Sequence, residues 1–353
     1  MAYNSSLLHL PVPLADLAVS FRADMTQYMW DSLLPIKMVT KRFDLIRAFN
    51  KGNQLRRHEL RTGSRGQGIA RVRFKMDPEK SYLCQDYAVE APTDNREEQE
   101  ADDIVQYASE HIYNLTLAMQ TGMEYLTINE TLRSASVMTN YEDLSLTPEY
   151  QYDNKGSPDS DPIVQWRRIC NTIRVKTGGH RVNRCVMSSF TWQKVQENSH
   201  LLALGNFRTY ENAFAIARYV EDYCNMEPGA IRITDAQYNS AKEEQTDALR
   251  LFIGPDVIFA YVEPPNTRTY GLGLSFMFPG GSEGPINVAV PEIRAPFSVL
   301  SFPDLGQETV FGGTKIRIAG GIDQKILNAD AGYLVKNAID GSNTALYGDW
   351  LLS

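Results

Sequence analysis

The stretch IVQYASEHIYNLTLAMQTGMEYLTINETLR, residues 104–133, decides how the rest of the chain is read. Ile104, Ala108, Ile112, Leu115, Met119, Gly122 and Leu126 recur at three- and four-residue steps, the spacing of one helix face. No proline falls between residues 93 and 147. The pattern predicts a single helix from about Glu97 to Arg133, on the order of 50 Å long at 1.5 Å per residue. Helices of that length exceed the usual globular range and act as struts.

On the N-terminal side the charges are sorted. Between Lys51 and Lys75 the chain carries eight Lys or Arg and one acid, Glu59, around the glycine-rich RTGSRGQG of residues 61–68. From Asp77 to Asp103 it carries ten Asp or Glu against Lys80 and Arg96. The basic block has three readings: a solvated loop, a nucleic-acid contact that lacks aromatics for base stacking, or a surface for a partner of opposite sign. Because the acids follow in the same chain, a basic segment of one copy can lie on the acidic helix start of the next, a head-to-tail contact that repeats. Arg56, Arg57, Arg61 and Arg65 are the candidate donors, and Glu97, Glu98, Glu100 and Asp103 the candidate receivers. The bland alternative for those acids is a solvated cluster at the positive end of a helix dipole.

Residues 1–35 read as an arm punctuated by Pro11, Pro13 and Pro35, with a short amphipathic helix around Leu14, Leu17, Ala18 and Phe21, and residues 36–49 alternate as strand. Beyond the long helix, 134–140 and 144–153 read as strands. Asp161 before Pro162 reads as an N-cap opening a helix with Ile163, Trp166, Ile169, Cys170 and Ile173 on its buried face. Thr177-Gly178-Gly179 ends it, Val182–Met187 is a strand, and Ser188 or Ser189 caps a helix carrying Phe190, Trp192 and Val195. A helix at about 211–224, a strand at 231–234 and a hairpin over 249–262 turning at Gly254-Pro255-Asp256 follow. Residues 269–353 are glycine-rich and mostly β, so the fold class is α+β.

The chain has 353 residues, 43% hydrophobic and 22% charged, which supports a sizeable core and suggests two domains or one with large excursions. Its net charge of −8 argues against a surface that grips nucleic acid everywhere. No apolar run approaches the roughly 20 residues of a membrane span, and no membrane partner is expected. Cys84, Cys170, Cys185 and Cys224 are widely spaced and read as reduced packing residues, with neither a disulfide framework nor a metal site.

Catalytic patterns are sparse. The five histidines make no HExxH, and there is no GxSxG around Ser188, so a hydrolase built on Ser189 and His180 is a remote alternative. GGTK at 312–315 lacks the first glycine of a phosphate loop, and RTYGLG at 268–273 offers only GxG. No catalytic residue and no cofactor is expected.

The arm, the loop rich in glycine and arginine, the acidic entry DYAVEAPTDNREEQEADD (86–103), the long helix, SDPI opening a helix, and TGGHRVNRCVMSSFTWQKVQENSHLL (177–202) together resemble tailed-bacteriophage major capsid proteins. FIGPDVIFAYVEPP, RTYGLG and IDQKILNADAGYLV extend the resemblance in order and spacing to nearly the whole chain. The resemblance implies a Hong Kong 97-like fold: an N-terminal arm (1–40), an extended β-hairpin loop (41–90), a peripheral domain on the long spine helix (91–160 and 301–353) and an axial domain (161–300). It implies hexamers and pentamers closing into an icosahedral shell around double-stranded DNA, assembled in the host cytoplasm into a virion capsid. The implied partners are a separate scaffolding protein, a portal protein at one vertex and a possible decoration protein. No covalent cross-link is assigned. An encapsulin-like compartment is the alternative within the fold.

Overall fold

The computed structural model describes residues 27–46, 48–49, 76–77, 80–94, 104–134, 138–154, 157–205, 213–241, 248–265, 271–278, 298–304 and 313–340. In chain order the first elements are α1 (Trp30–Leu33), β1 (Ile36–Met38), β2 (Phe43–Leu45), β3 (Ala48–Phe49), β4 (Met76–Asp77), β5 (Ser81–Leu83), β6 (Gln85–Asp94), α2 (Ile104–Tyr125) and β7 (Tyr141–Asp143). There follow α3 (Pro162–Thr177), β8 (Arg184–Met187), α4 (Ser189–Gln196), α5 (Ser199–Gly205), α6 (Ala213–Tyr223), β9 (Ile231–Ile233), β10 (Gln237–Asn239), β11 (Leu249–Leu251) and β12 (Val257–Ala260). The last four are β13 (Gly273–Phe278), β14 (Ser298–Asp304), β15 (Gly313–Ile326) and β16 (Gly332–Lys336).

The long helix is present, with two departures from the periodicity. Its first described residue is Ile104, and residues 97–103 lie outside the described residues. After Tyr125 the winding loosens into a π-helix over Leu126–Leu132. There the Thr131 hydroxyl donates to the Leu126 carbonyl at 2.9 Å, and the Arg133 N–H to the Ile128 carbonyl at 2.8 Å, both five residues back. The wider turn carries Arg133 to Asp256, where its Nε lies 2.7 Å from a carboxylate that is almost wholly buried. The α-helical part spans about 33 Å at 1.5 Å per residue. Ile112, Leu115, Met119 and Met123 form its buried stripe, whereas Gly122 is exposed.

Two sheets share this helix. In the first, β15 is the shared strand: β6 pairs along one edge over residues 313–322, and β14 and then β13 pair along the other, with β1 parallel to β13 beyond. The second sheet runs β7-β16-β12-β8-β9. At its centre the VIFA of β12 is buried throughout, as a strand covered on both faces must be. Val186, Ile258, Ala260 and Leu334 face the core under α2, while Cys185, Met187, Val257, Phe259 and Val335 face the core under α3, α4 and α6. Each fully buried Ile, Val or Phe there contributes roughly 1.5–3 kcal/mol. β7 and β16, from segments expected to be peripheral, thus pair in one sheet with β8, β9 and β12.

Local signals around α3 hold. The Asp161 carboxylate accepts from the Ile163 and Val164 N–H groups at 3.0 and 3.1 Å, Pro162 opens the helix, and Gly178 ends it in the left-handed region at φ 83°. Ser188, rather than Ser189, caps α4.

Three expectations fail. Residues 138–140 are not strand, and 135–137 lie outside the described residues. The run 144–153 forms two 3-10 turns (Leu144–Leu146 and Pro148–Tyr150), because Asp143 caps the first and Pro148 opens the second, and the strand falls earlier, at β7. Finally, 249–262 turns at Gly254 as expected but forms no hairpin: β11 pairs with β10, while β12 takes β8 and β16 on its two edges. An all-apolar strand is most stable in the sheet centre, which pulls β12 away from the half-exposed β11. The expected strand at 36–49 is present as β1, β2 and β3, broken by bends. The amphipathic helix expected within residues 1–26 lies outside the described residues.

Candidate assembly interface

β2 with β5 and β3 with β4 form an antiparallel ribbon, so the chain enters and leaves the basic segment 50–75 at one place. The ribbon's inner face is fixed to the first sheet. The Tyr82 ring stacks on Phe276 at 4.5 Å with 5° between planes, and buried Cys84 sits beside it, its thiol pushed up to about 11 by burial. Arg42 holds the base, bonding the Cys84 carbonyl at 3.0 Å and the Asp86 carboxylate at 2.7 Å. The Leu83 N–H donates to Asp323 at 2.8 Å. By strand alternation the outer face presents Phe43, Leu45 and Leu83, each more than half exposed. These three side chains put apolar surface side by side on one exposed face, a candidate contact surface. The sequence reading missed it because Phe43 and Leu83 are joined only by strand register.

Arg56, Arg57, Arg61 and Arg65 lie between β3 and β4, outside the described residues. Glu97, Glu98, Glu100 and Asp103 lie between β6 and α2, also outside them, with Asp103 next to the first described residue of the helix. Part of the acidic block is already engaged within the chain: Glu90 of β6 takes Arg317 at 2.7 Å and Lys315 at 3.7 Å across the β6–β15 ladder, and Asp86 takes Arg42.

The N-terminal segment leaves from a clasp on α2. Buried Glu124 accepts the Met29 N–H (2.9 Å) and the Trp30 N–H (2.7 Å), and the Trp30 indole N–H donates to Gln120 at 2.5 Å. Tyr28 shares a hydrogen bond with Thr121 at 3.0 Å. Burial pushes the Glu124 carboxyl up to about 7, against the pull of the two backbone N–H groups.

The residues that invited a catalytic reading have structural roles. The Ser188 hydroxyl donates to the Gly254 carbonyl at 2.9 Å and accepts from the Thr191 N–H; the Ser189 N–H donates to Asp235 at 2.9 Å. His180 stacks on Tyr261 at 4.6 Å. Gly313 to Lys315 are part of β15, and Gly273 of β13 permits close strand approach, since a Cβ there would lie 2.8 Å from Leu34 Cδ2 and closer still to the Lys325 carbonyl. The four cysteines are free and buried, with thiols raised by burial.

Among solved structures, a phage-related protein from Bordetella bronchiseptica RB50 aligns over 92% of this chain and 96% of its own, with TM-score 0.64 at 14% identity. A putative capsid protein of an Escherichia coli CFT073 prophage aligns over 91% and 98%, with TM-score 0.50 at 9% identity. The chain has a phage capsid fold. A virus-like particle from Pyrococcus furiosus shares it, over 92% and 98% with TM-score 0.50 at 11% identity. No family model and no curated protein matches the chain. The α+β architecture expected from the sequence is therefore the capsid fold.

Proposed function

We propose that this chain is a tailed-bacteriophage major capsid protein, whose copies assemble as hexamers and pentamers into an icosahedral shell around double-stranded DNA. The observation that carries this is the fold shared with a prophage's putative capsid protein along more than nine-tenths of the chain. The ribbon supports it, because its paired strands bracket eight cations and expose an apolar face. In this reading residues 1–40 are the arm, 41–90 the extended loop, 91–160 with 301–353 the peripheral domain and 161–300 the axial domain. The protein acts in the virion capsid, assembled in the host cytoplasm with a scaffolding protein and a portal.

Arg56, Arg57, Arg61 and Arg65 of one copy meet Glu97, Glu98, Glu100 and Asp103 of the next. Each exposed pair contributes roughly 0–1 kcal/mol, so the set determines register rather than bulk affinity, and it weakens with salt. Reversing the four arginines to glutamate leaves a folded, soluble subunit by circular dichroism and abolishes closed particles in negative stain; normal particles would overturn the assignment. Because a virus-like particle from Pyrococcus furiosus has the same fold, a second reading is a shell that packages no viral DNA, a cargo-enclosing compartment of the encapsulin type. Nuclease-protected DNA inside purified particles supports the virion shell, and its absence supports the compartment.

A further inference from the structure

A second pair of opposed charge blocks lies beyond the spine helix. Residues 141–161 hold six Asp or Glu and one base, Lys155, whereas residues 162–184 hold six Lys or Arg and no acid. In the structure these become two neighbouring surfaces. The cationic one is the solvent face of α3 and the turn after it, with an open hollow of about 600 Å³ along it lined by Val164, Arg168, Asn171 and Val175 among others. Val175 there is 79% exposed and Val164 57%. The acidic one is the turn cluster of residues 144–154 and 157–161, in which Leu146 is 82% exposed beside exposed Glu149 and Tyr150. Asp159, also exposed, belongs to the same cluster, which the Ser160 hydroxyl ties together by donating to the Gln151 carbonyl at 2.6 Å.

Some of these charges pair within the chain. Glu142 holds Arg168 at 2.5 Å, and Asp330 holds Lys176 at 3.2 Å. Arg174 and Arg181 are exposed and make no ion pair with a described residue. Each surface thus has unspent charge of one sign around an exposed aliphatic side chain, and the two do not cover each other, since Leu146 and Val175 both face solvent. Isolated surface aliphatics are ordinary, but two placed in complementary fields describe the halves of a polar-rimmed contact.

We infer that the α3 face of one copy receives the turn cluster around Leu146, Glu149 and Asp159 of the next copy, a heterologous contact that closes into a ring. This rests on the shell reading and adds to it a second interface, away from the ribbon. Duplex DNA is the competing occupant of a cationic face, but DNA leaves Val164, Val175 and Leu146 exposed and the acidic cluster without a role.

Two double variants test it: Glu149→Lys with Asp159→Lys, and Arg174→Glu with Arg181→Glu. All four side chains are exposed, so both proteins keep wild-type circular dichroism and urea midpoints. Alone, each is expected to raise the concentration at which capsomers form, read by mass photometry, by at least about tenfold. Mixed in equal amounts they regain wild-type assembly of six-membered capsomers, because each contact in an alternating even-numbered ring is again opposite in sign, whereas a five-membered ring keeps at least one like-charged contact. The inference is overturned if either variant alone assembles like wild type, or if the mixture stays as impaired as its components. It is equally overturned if only the arginine variant is affected and its defect is loss of protected DNA, which assigns the face to nucleic acid. If wild-type protein forms no capsomer under any condition, the shell reading falls and takes this contact with it.

Discussion

Replacing Glu124 by glutamine isolates the contribution of one buried carboxyl to the stability of the clasp between α2 and Met29-Trp30. Glu124 ionises near 7 in the fold, against an ordinary value of 4.5, chiefly because it is buried; its two backbone donors pull the other way, and nearby Asp31 adds to the rise. Tyr28 is the other titrating group facing it. A raised carboxyl makes the fold bind more protons than the unfolded chain between the two values, so stability falls as pH rises from about 4.5 to 7 and is level above that. Integrated between pH 5 and pH 8, this amounts to about 2 to 3 kcal/mol, at 1.36 kcal/mol per pH unit. Glutamine with its oxygen at the Oε2 position keeps the 2.9 and 2.7 Å bonds to Met29 and Trp30 but cannot titrate. Urea unfolding of subunits kept unassembled, followed by tryptophan fluorescence, should therefore show Glu124→Gln gaining about 2 to 3 kcal/mol on wild type at pH 8 relative to pH 5. A gain below about 1 kcal/mol would refute the reasoning, and show the carboxylate to be ionised in the fold throughout that range.

Gly273→Ala places a methyl against the Lys325 carbonyl and Leu34, and is expected to cost at least about 2 kcal/mol in urea unfolding. Trp166→Phe removes the indole N–H bond to the Tyr152 hydroxyl (2.9 Å) and the edge contact with Phe259 (5.4 Å between centroids). Its cost, again read in urea, is about 2 kcal/mol. Asp161→Ala leaves the first N–H groups of α3 without their acceptor and lowers stability by about 1 kcal/mol by the same measure, with little change in the spectrum.

What the sequence made legible was whatever is decided within a few residues. Asp161-Pro162 and Gly178 bound α3 because capping is local chemistry, and the apolar stripe from Ile163 to Ile173 reports one buried face. The hairpin at 249–262 was misread because the turn is local but the pairing is not: β12 is placed by β8 and β16, some 70 residues away on either side. The π-winding after Tyr125 had no signal in the periodicity, since Thr131 and Arg133 find their carbonyls one residue further back than an α-helix allows. The sorted charges of 51–103 pointed to an interface, yet Asp86 and Glu90 within it serve the chain's own ribbon and sheet. The apolar ribbon face of Phe43, Leu45 and Leu83 exists only once β2 and β5 are in register.

The way β6 continues the ribbon has a mechanical consequence. Past Cys84, the strand that leaves β5 pairs with β15 through ten consecutive residues, from Ile322–Gln85 to Gly313–Asp94. A force pulling the ribbon along its own length acts parallel to that ladder, so its hydrogen bonds resist together instead of opening one after another. β13 and β14 on the opposite edge of β15 then pass the load into the body of the molecule. In a container under internal pressure, tension between subunits would reach each one in shear, the direction in which a β-ladder yields last.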